Sequence, residues 1–273
     1  MSDDLVNRLM NLGSDSYHQP VKSPFIWCGG KSKLASKILP LIPDSDVYVE
    51  PFGGSAAIML SKPPTDLEVY NDYNSGVCDF YRCIQNEKTM LALVARIEHM
   101  ISSRELFNTF KMEWKTTADP VERAAYWYYT IQLSFSGRGL NWGRATSPDA
   151  QNTNKLYLNL PLFPRIQKRL RDVQIENCDW EACMREFDSP DTVFYCDPPY
   201  LGTQGYEWTE AQQIRLLKTI FEVEGYVLLS GYDCPFNDPF PFMAKYEWEV
   251  TTSVINLDGR KVAKEMLWVK EQV

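Results

Sequence analysis

What this sequence has little of narrows the field first. No run of uninterrupted apolar residues approaches the length that spans a bilayer, and the opening Met1-Ser2-Asp3-Asp4 is acidic rather than signal-like. Membrane association is therefore not expected. Histidine is scarce: His18 and His99 are the only two, and no Cys-x-x-Cys pair accompanies them. A metal site is not expected either. The seven cysteines (Cys28, Cys78, Cys83, Cys178, Cys183, Cys196 and Cys234) are scattered and odd in number, which points to reduced thiols in a cytoplasmic protein. Internal repeats and low-complexity tracts are missing as well.

Positive charge is short overall, since the net charge is −8, and this speaks at first against a nucleic-acid partner. The average hides an asymmetry. Residues 121–171 hold eight basic side chains, including Arg138, Arg144, Lys168 and Arg169, against the two acids Glu122 and Asp149. Clustered positive charge of this kind is a footprint for phosphate contact, although a solvated basic helix face accounts for residues 165–171 almost as well.

With 273 residues and 44% hydrophobic content, the chain can bury one large core or two modest ones. Its pattern opens as a doubly wound α/β sheet: a helical stripe over Lys33–Ile42, a strand over Asp46–Glu50, a glycine turn, a helix over Ala56–Leu60, and a strand over Leu67–Asn71. From about 75 to 135 the signal is helical, with Met90, Leu93, Val94, Ile97 and Ile101 at three- and four-residue intervals and a long helix over Glu122–Phe135. A long loop rich in Gly, Asn, Ser and Thr covers Ser136–Pro161. Alternation then resumes: strands over Val173–Glu176, Thr192–Cys196 and Tyr226–Leu229, a helix over Thr209–Glu224, and a closing antiparallel pair over Glu247–Leu257 and Glu265–Val269. The expected division is a sheet domain of residues 1–85 and 171–273 with a helical insertion of residues 86–170.

Within this frame, Asp197-Pro198-Pro199-Tyr200 follows the five-residue apolar strand Thr192–Cys196. Two prolines stop the strand stiffly and present an acid and an aromatic ring at the carboxyl edge of the sheet, where open α/β sheets bind ligands. Such a group suits an exocyclic amine on a nucleobase, a poor nucleophile because its lone pair is delocalised. Asp197 and the Pro198 carbonyl can accept the amine hydrogens, and Tyr200 offers a face for an extruded base. An acidic strand end, a proline turn and a core tyrosine are the plainer reading. Asp72 ends the second strand about twenty residues after the Gly53-Gly54 turn, the spacing at which an acid takes ribose hydroxyls, or else caps a helix. Gly30-Lys31-Ser32 mimics the end of a phosphate-binding loop, but Phe25 stands where that loop requires glycine.

The tetrapeptide resembles the catalytic motif of amino-methylating DNA methyltransferases, and the chain more narrowly resembles the Dam family of adenine-N6 methyltransferases, of prokaryotic or phage type. The resemblance recurs, in the family's order, at Phe25-Ile26-Trp27-Cys28-Gly29-Gly30-Lys31, at Val49-Glu50-Pro51-Phe52-Gly53-Gly54-Ser55, at Asn71-Asp72-Tyr73-Asn74 and in the C-terminal strands. It implies a Rossmann-like sheet, mostly parallel with an antiparallel C-terminal strand, carrying an inserted helical DNA-recognition domain. It also implies an enzyme moving a methyl group from S-adenosyl-L-methionine to adenine N6 in double-stranded DNA, leaving S-adenosyl-L-homocysteine and using no metal.

Residue by residue, the resemblance assigns Asp197, Pro198, Pro199 and Tyr200 to catalysis. Trp27, Gly29, Gly30, Lys31, Glu50, Phe52, Gly53, Gly54, Ser55, Asp72, Asp179 and Asp197 fall to the cofactor. Lys31 is then the partner of the cofactor carboxylate and Asp179 the acceptor for its adenine amine, though Asp179 is equally placed to cap a helix. The family often has glycine where this chain has Ala56. Arg138, Asn141, Trp142 and Arg144, in a loop like the one beside the family's target site, fall to DNA together with Lys168 and Arg169; Trp142 tucked into the helices is the plainer alternative. Cytosine-N4 enzymes share the chemistry but more often begin the motif with Ser, and a DNA-binding protein that has lost catalysis is a rival of another kind. Neither the DNA word nor a restriction endonuclease partner is written in these motifs.

Overall fold

The computed structural model describes residues 19–143, 153–202, 208–237, 240–251 and 262–271. In chain order the elements are α1 (Ala35–Ile38), β1 (Val47–Glu50), β2 (Leu67–Asn71), α2 (Ser75–Gln85), α3 (Glu87–Glu98), α4 (Arg104–Glu113), α5 (Pro120–Leu133), α6 (Thr153–Tyr157), α7 (Phe163–Leu170), β3 (Gln174–Glu176), α8 (Trp180–Glu186), β4 (Thr192–Cys196), α9 (Glu210–Glu222), β5 (Tyr226–Tyr232), β6 (Ala244–Thr251) and β7 (Val262–Lys270). Strands β2 and β4 have the bounds their apolar runs predict. The stripe expected as one helix over Lys33–Ile42 breaks into short 3-10 and α pieces: Leu34, at φ −102° and ψ −8°, separates the first two, and Pro40, which supplies no N–H, lies in the last. The helix expected over Ala56–Leu60 is instead a run of overlapping turns, closed by Leu60 N–H to the Ala56 carbonyl and Lys62 N–H to the Ile58 carbonyl, each at 2.9 Å. Left-handed backbone at Gly54 and Ala56 prevents helical entry there.

Two units divide the chain by segment: a sheet unit of 40–53, 65–73 and the described residues from 178 on, and a helical unit of 19–39, 54–64 and the described residues of 74–177. The helical unit takes in more than the expected 86–170 insertion. Its reason is α2: Gly76 lies so close to α5 that an added Cβ would sit 2.2 Å from Trp127, and Arg123 on α5 donates to Asp79 on α2 at 2.8 Å.

In the sheet unit the strands run in the order β2-β1-β4-β5-β7-β6. Pairs β1/β2, β1/β4 and β4/β5 are parallel, whereas β7 runs antiparallel between β5 and β6. One face carries Val49, Phe194, Cys196, Leu229, Met266 and Trp268 and packs with Trp180 and Met184 of α8 and Leu216, Leu217 and Ile220 of α9. Each of these large side chains contributes about 1.5–3 kcal/mol by leaving water. Lys270, itself buried, donates to the carbonyls of Val223 and Gly225 at 2.6 and 3.0 Å and so satisfies the end of α9.

In the helical unit, helices α2 to α5 are each capped by a side chain. Asn74 accepts from Gly76 N–H, Asn86 from Lys88 N–H, Ser103 from Leu106 N–H and Asp119 from Glu122 N–H. Each cap is worth about 1 kcal/mol. An aromatic core forms around Phe80, whose ring stacks on Tyr128 at 5.3 Å and meets Phe25 and Phe163 edge-on.

Candidate active site and cofactor region

The sheet reverses its winding beside β1, which has β2 on one side and β4 on the other, both parallel to it. Ligands of open α/β sheets sit at the carboxyl ends of strands at such a switch point. Strand β4 is buried along its whole length, and its alternation sends Phe194 and Cys196 into the apolar core and Tyr195 to the opposite face. Burial pushes the Cys196 thiol well up, so it is inert.

The turn that ends β4 carries the candidate chemistry. The Tyr200 hydroxyl donates to Asp197 Oδ1 at 2.9 Å and also lies within hydrogen-bonding reach of the Glu265 carboxylate on β7. Its ring meets Tyr232 edge-on at 4.7 Å. Burial first, then the neighbouring Asp197 and Glu265 charges, hold the Tyr200 hydroxyl well above the usual phenol range, so it keeps its hydrogen. Beneath the turn, Tyr195 shares a hydrogen bond with Ser230 at 2.8 Å, and Tyr48 donates to buried Glu50 at 2.9 Å. A cleft of about 400 Å³ opens beside the turn, with Pro198, Tyr200, Gln213, Asn237 and Trp268 in its walls. That volume falls in the range of small-molecule sites.

At the ends of β1 and β2 the backbone is tied together by Asn71. This fully buried amide donates to the carbonyls of Pro51 at 2.9 Å and Cys178 at 3.3 Å, and accepts from Cys178 N–H at 2.9 Å. Gly53 N–H closes the turn on the Asn71 carbonyl at 2.7 Å, and Gly53 is packed so tightly that a Cβ would lie 2.2 Å from the Tyr70 ring. Asn71 thus holds Phe52-Gly53 near Cys178-Asp179 while Asp72 follows it directly. Asp179 caps α8 through Glu181 N–H at 3.0 Å and pairs with Arg215 at 2.7 Å, so the helix-cap role is present and its carboxylate remains about half exposed. Phe52 stacks on Trp180 at 5.7 Å and meets Trp208 edge-on at 5.9 Å.

In the helical unit, Gly29 is left-handed at φ 82°, and Gly30 N–H bonds the Trp27 carbonyl at 3.0 Å. Lys31 is buried and donates to the Gly29 carbonyl at 2.8 Å. Gly54, at φ 49°, lies against Trp27, whose Nε1 would be 2.8 Å from an added Cβ, and the Ser55 carbonyl accepts from Tyr81 at 2.7 Å.

The loop expected to meet DNA is ordered by its own backbone. Phe135 N–H bonds the Asn141 carbonyl, Gly143 N–H the Leu133 carbonyl, and Gly139 N–H the Ser134 hydroxyl, each at 2.8 Å. Ser136, Gly137 and Gly139 are left-handed, and a Cβ on Gly137 would strike the Ile26 carbonyl at 2.2 Å. Asn141 is exposed and Arg138 half-buried, its Nε lacking a partner among the described residues. Trp142 is half-buried and meets Phe107 edge-on at 5.5 Å, the tucked arrangement. Arg144 lies outside the described residues.

Arg169 requires a correction. It is buried on the inner stripe of α7 with Phe163, Ile166 and Leu170 and donates to the Met59 carbonyl at 2.7 Å, so it is not available to a phosphate. Lys168 on the same helix is half-buried and keeps access to solvent. The 3–4 spacing from Phe163 and Ile166 would have separated the two residues. Phe135 and Leu140, exposed at 69% and 47%, were missed, as were Trp208, Asn71 and Glu265. A lone acid in the apolar strand Val262–Lys270 is the signal that marks Glu265.

The sheet order and the acid-proline-proline-tyrosine turn at the switch point define a Rossmann-like methyltransferase sheet. The chain belongs to the family of D12 class N6 adenine-specific DNA methyltransferases, whose model matches residues 27–253. It is similar to the type II methyltransferase M.FokI of Planomicrobium okeanokoites, 25% identical over 238 residues that cover 77% of this chain and 35% of that protein. The modification methylase StsI of Streptococcus sanguinis is 26% identical over 231 residues, 77% of this chain and 34% of its own length. A DNA adenine methylase of Serratia marcescens is 23% identical over 262 residues, 88% of this chain and 95% of that protein. The chain thus spans about a third of the first two relatives. Among the described residues no His, Cys, Asp and Glu cluster suits a metal, and no helix is long and apolar enough to cross a membrane.

Proposed function

We propose that the chain transfers a methyl group from S-adenosyl-L-methionine to adenine N6 within a short word of double-stranded DNA, leaving S-adenosyl-L-homocysteine. The observation that carries this reading is Asp197 at the carboxyl end of β4, hydrogen-bonded to Tyr200 and beside a cleft large enough for a base. A base flipped into that cleft presents its amine to Asp197 and to the Pro198 carbonyl. Drawing both amine hydrogens towards these acceptors returns the nitrogen lone pair from the ring and aims it at the methyl group. The sulfonium is the electrophile, so the protein's part is positioning and hydrogen bonding.

For the cofactor, acidic and aromatic groups fit a nucleoside. Asp72 is assigned the ribose hydroxyls and Asp179 the adenine amine, with Phe52 and Trp180 supplying flat apolar surface. Lys31 is assigned the carboxylate. On the DNA side, the ordered loop of residues 134–143 offers Arg138 and Asn141 for base edges and exposed Phe135 and Leu140 for apolar contact with bases.

The test is incubation of the protein and Asp197→Ala with radiolabelled cofactor and unmethylated DNA, followed by mapping of modified adenines. The parent should label adenine at one word, and the folded variant should lose roughly 100- to 1,000-fold in turnover. Label on cytosine N4, or near-parental turnover by Asp197→Ala, overturns the reading; no transfer by the parent favours a DNA-binding role without catalysis.

A further inference from the structure

Three contacts converge on the guanidinium of Arg215, in the second turn of α9, and all of them lead to the start of α8. Its Nε donates to Glu181 Oε2, its Nη2 to Asp179 Oδ1 at 2.7 Å, and its central carbon lies 4.7 Å from the centroid of the Trp180 ring. Trp180 is buried and stacked on Phe52, so the guanidinium rests on a fixed surface. Glu181 is held through its other oxygen as well, because Arg185 donates to Oε1 through two nitrogens at 2.9 and 2.7 Å and reaches on to Glu222 at 2.7 Å. Arg215 is thus set as a two-pronged fork rather than a swinging surface charge. The Asp179 and Arg215 side chains are each 45% exposed, so their pairing contributes little to stability. What the arrangement fixes is direction.

Both donors to Asp179 meet the same oxygen. Glu181 N–H, in the first turn of α8, reaches Oδ1 at 3.0 Å, and Arg215 from α9 reaches Oδ1 too; Oδ2 accepts from none of the described residues. A carboxylate pinned through one oxygen by donors from two different helices cannot turn about its Cβ–Cγ bond without losing one of those bonds. Oδ2 is therefore held in one orientation, with its lone pairs open to a donor. With the helix cap alone, a half-exposed carboxylate keeps more of that freedom, and a ligand has to order it on binding. We infer that Arg215 is a positioning residue of the cofactor site: it engages Asp179 Oδ1 and so aims Oδ2 at the amine of the cofactor's adenine. Arg215 acts through Asp179 and does not itself touch the cofactor.

The inference rests on Asp179 as the acceptor for the adenine amine, and its test separates the two. S-adenosyl-L-homocysteine, and its analogue with hydrogen in place of the purine amine, are titrated calorimetrically into the parent, Arg215→Ala, Asp179→Ala and the double variant. Asp179→Asn, which keeps an oxygen to cap α8, replaces Asp179→Ala if the latter does not fold. The parent should bind S-adenosyl-L-homocysteine roughly tenfold more tightly than the analogue, a preference that Asp179→Ala removes. Arg215→Ala should keep a thermal midpoint near that of the parent. It should nonetheless lose roughly three- to tenfold in affinity for S-adenosyl-L-homocysteine, with affinity for the analogue within about twofold. In the Asp179→Ala background the same change should cost less than about twofold, because no carboxylate remains to aim. A preference left unchanged by Arg215→Ala, or an equal loss in both backgrounds, overturns the role of Arg215. A parent indifferent to the amine, or an Asp179→Ala variant that keeps the preference, overturns instead the assignment of Asp179 and the inference with it.

Discussion

Ala56 and Gly53 show opposite limits of what one methyl group does in the turn region. Ala56 is buried at φ 52°, a left-handed conformation that costs an L-residue about 1–2 kcal/mol, and it stands where the resembled family often has glycine. Ala56→Gly removes that strain but gives up a buried methyl worth about 0.8 kcal/mol and loosens the unfolded chain by about 0.4–1 kcal/mol. The terms nearly cancel, and the denaturant midpoint should move by less than about 1 kcal/mol of stability. Gly53→Ala has no such compensation: its Cβ meets the Tyr70 ring, and the expected loss is about 1–3 kcal/mol. Urea unfolding of both variants checks this; an unaffected Gly53→Ala would mean that the turn yields. The acid of Asp197 and the ring of Tyr200 were legible in the chain because prolines and an apolar strand surround them. Glu265 was not legible as a partner of Tyr200, since 65 residues separate the two and only strand order brings them together.

At the scale of elements, α7 separates two basic residues that adjacency makes look alike. Lys168 and Arg169 differ by one position, about 100° of helix, and that rotation decides solvent against core. Lys168→Ala should weaken binding to every DNA sequence and lower the salt dependence by about one counterion, without changing stability. Arg169→Ala should instead destabilise the fold by about 1–3 kcal/mol, because the Met59 carbonyl loses its donor. Arg138→Ala should relax the preference for the cognate word if it reads a base edge. Binding to cognate and scrambled duplexes over a salt series, beside thermal unfolding, distinguishes the three; a uniform loss for Arg138→Ala makes it a phosphate contact. Bounds of β2 and β4 followed from short β-branched and aromatic runs. The Ala56–Leu60 segment misled because its apolar composition suits a helix while two left-handed residues forbid one.

At the scale of the molecule, the seven thiols report on both units. None is in a disulfide; Cys78, Cys83, Cys183 and Cys196 are buried, whereas Cys28, Cys178 and Cys234 are partly accessible. Burial, its largest cause, pushes the Cys83 thiol up to about 11, and Cys196 rises further for the same reason. The thiolate is the reactive form, so at pH 8 a disulfide reagent should modify the three accessible cysteines promptly and the four buried ones only on unfolding. Rapid modification of Cys83 or Cys196 in native protein would contradict the burial in its unit.

The sequence by itself determined the alternation of strands and helices, the glycine turn and the proline-stopped acid, because these depend on neighbours within a few residues. It also carried the concentration of positive charge in residues 121–171 against a net charge of −8. Tertiary structure alone decided which acids meet which hydroxyls, that Asn71 ties the ends of β1 and β2 to Cys178, and that Arg169 turns inward. Such outcomes depend on strand order and on the facing of helices, and residues 65 or 107 positions apart reach hydrogen-bonding distance only when non-local packing brings them there.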